Sequence, residues 1–495
     1  MSLVICVIVQ WLCAYDFYYA EQFRLFRWSS DYVVDFFQHP GGPIALWCSF
    51  LLQFFALPWA GAAINAFAFL LMAVGTDRLL RHIAPDWPLP VFGVSAGLMQ
   101  CALATEIHYF PEQTWALIAA VWVLSGIAAV FATADDVNKI WTAKRIGCTA
   151  VCTITAFLFL YYIAGPIVWG DFYYPSMLHA SAHSYWPLGI VAAGIATALV
   201  LSRRKRPAKL SDTKPFAALI IVQLIIAAGL GAWYFTQCHN AGSARLKELD
   251  HYRATENWEA ILAMPDLPTD QVVVYTNYQN LALAATGRLG DEFMDRGQTG
   301  PTGLQQVWQG LQFESDILSD IFMVQGHVAM AQKMAFIAMQ YNHGLMHGRL
   351  MLRLIETNLI LKEDGVAEKY IRLLEQTLFY ADRARAYRKF LGHPELVSAD
   401  PRLGELQRCT EGCDIATNDM VDGLEQICRA NPNHKAAFHY LGAYHLMSND
   451  LEAFRRFLDT YQDCPALQPL PTCFKRAADY LHWTPSAESS TTSSE

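Results

Sequence analysis

Long apolar runs crowd the first half of the chain and give way, near residue 240, to short amphipathic stretches. A helix needs about 20 apolar residues to cross a bilayer. Seven runs approach or exceed that length: residues 2–19, 44–75, 88–105, 114–133, 146–168, 184–201 and 216–235. The second is long enough to tilt, or to begin along the interface. The first has no basic residue before it and no small-residue cleavage site after it. Its aromatic end (Phe17, Tyr18, Tyr19) suits a membrane-interface belt better than a signal peptide.

From Ala241 to about His482 apolar residues recur at three- and four-residue spacing, as in Val328, Ala331, Phe336 and Met339. Turns rich in Gly, Pro, Asn and Asp separate the predicted helices. The clearest pair is NPNHKAAFHYLGAYHLMSNDLEAFRRFLDTY, residues 431–461, with Pro432 expected in the first helical turn. It resembles a degenerate tetratricopeptide unit of roughly 34 residues, and residues 358–391 form a second candidate. Stacked helix pairs make concave binding surfaces. The predicted class is therefore all-α. About seven transmembrane helices occupy residues 1–235, a tetratricopeptide-like helical-repeat domain residues 236–482, and a low-complexity, disordered tail residues 483–495.

Composition agrees with that division. The chain is 54% hydrophobic and 16% charged, where a soluble chain carries about 25% charged residues. The net charge of −9 comes mostly from the second half, and no basic patch points to nucleic acid. The loops between runs differ in sign. Loops two, four and six carry Arg78, Arg81, Lys139, Lys144, Arg145 and the cluster from Arg203 to Lys214, while loops one, three and five carry only Arg24 and Arg27. The positive-inside rule then places the N-terminus in the cytoplasm and the C-terminal half outside. No charged residue sits clearly mid-run, which argues against ion-coupled transport. Gln53, Asn65, Gln100 and Gln223 are expected to hydrogen-bond between helices. Outside the membrane, Cys409, Cys413 and Cys428 are the natural disulfide candidates in an oxidising compartment.

The first loop, DFYYAEQFRLFRWSSDYVVDFFQHPGGPIALW (residues 16–47), concentrates acidic and aromatic residues. As a surface it is simple. Asp16, Glu21, Asp31 and Asp35 solvate the loop, the aromatics anchor an interfacial helix, and the Pro-Gly-Gly-Pro knuckle turns the chain into the second run. As a site, a carboxylate at the membrane surface is placed to take a proton from an acceptor hydroxyl while a sugar leaves a lipid-linked phosphate.

Two resemblances bear on the choice. The segments WEAILAMPDLPTDQVVVYTNYQNLALAATGRL, HVAMAQKMAFIAMQ and HPGGPIALWCSFLLQFFALPWAGA resemble an uncharacterised bacterial family of multi-pass membrane proteins with a helical-repeat tail. That resemblance covers most of the chain. It implies architecture and a place in the cytoplasmic (inner) membrane of the bacterial envelope, without an activity.

The first loop alone resembles glycosyltransferases that use polyprenyl-phosphate-linked sugars. Asp16 followed by Tyr19-Ala20-Glu21, then Asp31-Tyr32 and HPGGPIALW, stand roughly where those enzymes carry an Asp-Glu pair, an Arg-Tyr-Ala-Glu run, an Asp-Trp and a Lys-Pro-Pro-Leu-x-Tyr-Trp. The usual Asp-Glu is Asp16-Phe17 here, and the lysine is His39. The resemblance implies Asp16, Glu21 or Asp31 as base and sets His39 at the position of the lysine, as a phosphate or substrate contact. The chemistry adds the rest: a leaving phosphate needs cationic or metal stabilisation, for which Arg24, Arg27 or a divalent metal held by Glu106 and His108 are the candidates, and Trp28 is placed to stack on a sugar ring. Two classes of function follow: a membrane-anchored binding protein whose repeat domain holds a protein or glycan partner, and a lipid-linked-sugar transferase.

Overall fold

The computed structural model describes residues 2–22, 24–38, 40–106, 111–132, 185–204, 213–265, 272–310, 312–341, 347–413 and 419–484. Regular structure among them is helical throughout. The chain divides into two compact units, Met1–Lys247 and Glu248–Glu495.

The first unit contains α1 (Ser2–Glu21), α2 (Ser30–Phe37), α3 (Gly42–Leu52), α4 (Ala60–Ile83), α5 (Pro90–Leu103), α6 (Pro111–Ala132), α7 (Trp186–Leu201) and α8 (Thr213–Cys238), and the division falls within α9 (Ala241–Ala254). Among the described residues, four helices are long and apolar enough to cross a membrane: Leu3–Glu21, Ala60–Ile83, Pro111–Ala129 and Lys214–Cys238. The stretches Gly42–Ala56, Pro90–Leu103 and Trp186–Leu201 are apolar but shorter. Residues 146–168, the fifth predicted run, lie outside the described residues.

The second predicted run, 44–75, is not one helix. A 3-10 turn, Gln53–Ala56, follows α3, and Pro58 forces Leu57 into an extended conformation (ψ 138°). Trp59 then takes a left-handed φ of 69° before α4 begins. Sequence reading counted apolar residues through this break because Leu57, Pro58 and Trp59 do nothing to interrupt the hydropathy.

Inside the bundle, small residues set the helix spacing. Gly93 and Gly97 of α5 are four apart on one face. A methyl group on Gly93 would lie 2.6 Å from the Ala73 carbonyl oxygen, and one on Gly97 2.7 Å from the Phe69 ring. Close backbone approach of this kind is how apolar helices gain van der Waals contact where hydrophobicity does not favour burial. Trp122 of α6 donates its indole N–H to the Leu71 carbonyl at 3.0 Å. The polar bridge foreseen for Gln223 is present, with Nε2 donating to the Pro88 carbonyl at 3.1 Å, whereas Gln53 turns back on the Phe50 carbonyl of its own segment.

The packing partners also fix directions. Trp115 lies against Phe67 and Trp122 against Gly75, so α6 runs parallel to α4. Gly194 faces Leu80 and Phe92, and Ala198 clusters with Leu80, Ala84 and Leu89, so α7 runs the same way. Leu3, Val4, Val7 and Trp11 of α1 and Ile221, Val222 and Ile225 of α8 are exposed, an apolar outer face that water does not favour.

The second unit holds α10 (Trp258–Ala263), α11 (Val272–Ala285), α12 (Leu289–Glu292), α13 (Gln312–Gln325), α14 (Val328–Tyr341), α15 (Gly348–Ile360), α16 (Asp364–Leu374), α17 (Ala381–Tyr387), α18 (Pro394–Ala399), α19 (Pro401–Cys409), α20 (Met420–Ala430), α21 (Lys435–Met447), α22 (Leu451–Tyr461) and α23 (Thr472–Tyr480). One turn recurs through it. Glu256, Gly287, Gly326, Lys362 and Asn449 all have positive φ. In each case the next residue donates its N–H to a carbonyl five residues back, as Arg288 does to Leu283 at 2.7 Å and Asp450 to His445 at 3.0 Å. This is the Schellman closure of a helix end. The following helix starts two residues after each of these positions. Glycine supplies only two of the five, so the repeated turn is hidden in the sequence as TENW, TGRL, QGHV, LKED and SNDL.

Several details differ from expectation. In α14 the buried face is Val328, Ala331, Met334, Ala335 and Ala338, while Phe336 is exposed and Met339 half-buried. Alanines share that face with Val328, Met330 and Met334, and Phe336 instead meets the Tyr370 ring at 6.4 Å. Pro432 is not in a helix: it lies in the turn before α21, where its carbonyl accepts the Ala466 N–H at 3.2 Å. The 431–461 helix pair is nevertheless tightly packed, with Gly442 against the Phe474 and Phe457 rings and Phe438 edge-on to Tyr461 at 5.4 Å. Residues 358–391 are not a single pair either, because α15 already runs through residue 360 and packs with α16. Cys409, Cys413 and Cys428 are free thiols. Cys413 donates to the Cys409 carbonyl at 3.0 Å, and burial pushes the Cys409 thiol up to about 12.

Two histidines tie this unit's stability to pH. Burial lowers His347 and His439 to about 4. Each uses Nδ1 as an acceptor, His347 from the Leu350 N–H at 3.3 Å and His439 from the Gly290 N–H at 3.2 Å. The folded state therefore holds them neutral while the unfolded chain protonates near 6.5. Their contribution is complete above about pH 6.5 and fades as pH falls towards 4. Denaturant titration at pH 7 and pH 4.5 is expected to show a loss on the order of 2 kcal/mol per histidine. Replacing both with Gln should flatten that slope.

Candidate functional site

The first-loop residues are mostly engaged in holding the first unit together. Asp16 lies on the last turns of α1 and is 5% exposed. Lys247, 2% exposed, donates from Nζ to Asp16 Oδ1 at 2.5 Å and to the Thr105 carbonyl at 2.8 Å. The same ammonium lies 6.0 Å from the Tyr19 ring centroid. Arg24 forms a buried ion pair with Glu112 at the start of α6. Arg27 stacks its guanidinium over the Tyr32 ring at 4.9 Å. Trp28 is exposed and touches Phe26 edge-on at 5.1 Å. Asp31 is exposed in the first turn of α2, whose N-cap Ser29 accepts the Tyr32 N–H. Glu21 ends α1 half-buried, and Glu106 is half-buried beyond α5. His39 and His108 lie outside the described residues. Among the described residues no group of three or more metal-ligating side chains is gathered at one point. The Pro-Gly-Gly-Pro knuckle is a true turn: Gly41 has φ 82°, and a side chain on Gly42 would strike the Phe36 carbonyl.

The second unit carries a different constellation. A ladder of ion pairs crosses five of its helical segments. Asp250 and Arg253, three apart at the end of α9, pair at 2.7 Å. Arg253 also holds Asp316 at 2.7 Å and Asp320, one turn apart on α13. Arg349 of α15 takes the other oxygen of Asp250 at 2.9 Å. Arg353, one turn further, pairs with Asp320 and reaches Glu356 at 3.4 Å. Glu356 in turn accepts from Tyr387 of α17 and Arg402 of α19. Burial pushes the Asp250 carboxyl up, but Arg349 and Arg253 outweigh it and hold it below the usual carboxylate range. Asp320 is lowered in the same way by Arg253 and Arg353. Asp250 and Asp320 thus stay charged at neutral pH.

The ladder floors a cavity of about 610 Å³. Trp258, Leu281, Met323 and Leu406 add apolar wall, and Arg383, Lys435 and Glu256 stand at the exposed rim. His434 closes one side, with Nδ1 2.7 Å from a Glu405 oxygen and Nε2 2.9 Å from the Val324 carbonyl. A volume of this size matches a small-molecule or short-peptide site, which typically spans about 300–1,000 Å³.

Sequence reading missed this groove. Its signal was present as like-charged residues one helical turn apart, Asp316 with Asp320 and Arg349 with Arg353, on helices otherwise rich in buried apolar side chains. Without knowing which helices adjoin, such charges read as solvated faces.

Comparison with known proteins adds a family and nothing finer. No curated protein and no solved structure matches the chain. A family model described as "Family of unknown function (DUF6057)" matches residues 1–492, and the chain belongs to that family.

Proposed function

We propose that this protein is an integral membrane protein of the bacterial envelope whose spans, about seven, anchor an extracytoplasmic tetratricopeptide-like repeat domain that binds a protein or glycan partner. The observation that carries the reading is the charged groove of the second unit, concave and fixed by ion pairs from α9, α13, α15 and α19. Such preorganisation favours binding because little side-chain freedom remains to be lost on association.

The topology has independent support. In the seven-span count, loops one and three and the segment after the last span share one face, and loops two and six the other. Arg24–Glu112 and the Asp16–Lys247–Thr105 cluster join the first set. Trp87 donating to the Arg204 carbonyl at 3.1 Å joins the second. The count also requires α6 and α7 to run in the same direction, and they do. The recurrent left-handed turn supports the repeat reading.

Photo-crosslinking from inside the groove tests the proposal. A photoreactive residue at Ala285 is expected to capture a discrete partner in intact cells, and one at the exposed Arg385 is not. Equal labelling from both positions would count against a binding groove.

A further inference from the structure

We propose that the groove takes an oxyanion, a carboxylate or phosphate group, from its ligand, held by Arg383, Arg402 and Lys435 at the rim. This deepens the binding reading above and rests on it.

The argument is an inventory of donors and acceptors. The cavity-lining carboxylates of the ladder are committed: Asp316 to Arg253, Asp320 to Arg253 and Arg353, and Glu356 to Arg353, Arg402 and Tyr387. Glu405 is held by His434. Among the described residues only Glu256, exposed on the turn after α9, lines the cavity as a carboxylate outside an ion pair, and it lies near enough to Arg402 to favour its charge. The donors are in surplus. Arg383 and Lys435 hold no carboxylate among the described residues. Arg402, with a side chain 53% exposed, gives only Nη2 to Glu356 and Tyr387, which leaves the rest of its fork uncommitted. The buried Nε of Arg253 also has no acceptor. A ligand entering this space meets N–H donors and finds almost no free acceptor, so it must bring oxygens of its own. The fork of arginine matches carboxylate and phosphate, and a neighbouring lysine adds charge without demanding geometry. Counted with Arg402, the ladder has four arginines and four carboxylates, and its ion pairs fix where Arg402 stands.

The test uses the full chain in nanodiscs of phosphatidylcholine, titrated calorimetrically with inorganic phosphate and, separately, with succinate at constant ionic strength. Wild type is expected to give saturable binding in the millimolar range or tighter for at least one of the two. The double variant Arg383→Gln, Lys435→Gln leaves the ladder intact and is expected to weaken it at least tenfold with an unchanged circular dichroism spectrum. Arg385→Gln, on the same helix but outside the groove, is expected to leave binding as it was. Phosphate alone binding identifies a phosphate-bearing ligand, and succinate binding a carboxylate. If neither binds to wild type while Ala285 still crosslinks to a partner, the oxyanion proposal is overturned and the binding groove survives. If neither occurs, both readings fall.

Discussion

Replacing Arg253 with alanine is expected to cost the second unit about 3–5 kcal/mol, the range observed when one partner of a buried ion pair is removed. Arg253 is 5% exposed and serves Asp250, Asp316 and Asp320 at once. After its loss Asp250 keeps Arg349 and Asp320 keeps Arg353, but Asp316 has no other cation among the ion pairs described. Two or three carboxylates then face one another with too little positive charge between them. For a unit of this size that energy corresponds to a fall in melting temperature on the order of 10 °C, readable by circular dichroism. Arg253→Lys should recover little, because a single ammonium cannot reproduce a fork that reaches three acids. Arg253→Met combined with Asp316→Asn should recover part of the loss, since neutralising both sides removes the uncompensated charge. Stability unchanged in Arg253→Ala would mean that the ladder is not a structural element.

The second large effect separates two meanings of Asp16. As a transferase base it would have to be available to an acceptor hydroxyl. As a structural anchor it needs only Lys247. The side chains are 5% and 2% exposed, and the ammonium is also bonded to the Thr105 carbonyl. Lys247→Ala alone is expected to destabilise the first unit by about 3–5 kcal/mol, as is Asp16→Ala, each leaving a buried charge alone. The double replacement Asp16→Leu, Lys247→Met is expected to restore most of that stability, giving a strongly non-additive cycle. Thermal unfolding in detergent reads the stability. Mass-spectrometric profiling of surface glycans in a deletion strain complemented with each variant reads the function. A glycan lost in the deletion and restored by the stable double variant assigns Asp16 to structure. A glycan restored only by wild type, with the double variant folded and inserted, would instead make the first loop a catalytic site.

Hydropathy made the helical membrane-compatible character legible because the apolar runs are long, and their order along the chain is preserved from α1 to α8. What it missed were interruptions that carry no polar signal. Leu57-Pro58-Trp59 breaks a run by backbone geometry alone, and the close glycine contacts of α5 depend on which helix lies opposite. In the second unit the three- and four-residue spacing located helices, but the inner face of α14 went to alanines, Val328, Met330 and Met334 rather than to Phe336. The repeated left-handed turn was masked because Glu256, Lys362 and Asn449 occupy it as well as glycine. Charges drew attention to the first loop, where aromatics made them conspicuous. The ladder of Arg253, Arg349 and Arg353 stayed invisible because its partners are far apart in sequence, and only the fold brings Asp316 and Asp320 to them.

The central claim is that the groove of the second unit is occupied by a partner in the cell. The most direct measurement is quantitative photo-crosslinking at Ala285 in intact cells, with and without a groove-filling Ala436→Trp in the same chain. The account predicts one dominant adduct from Ala285, absent when the groove is filled and absent from a probe at Arg385. Adduct formation that is indifferent to filling, or equal at Ala285 and Arg385, would contradict it.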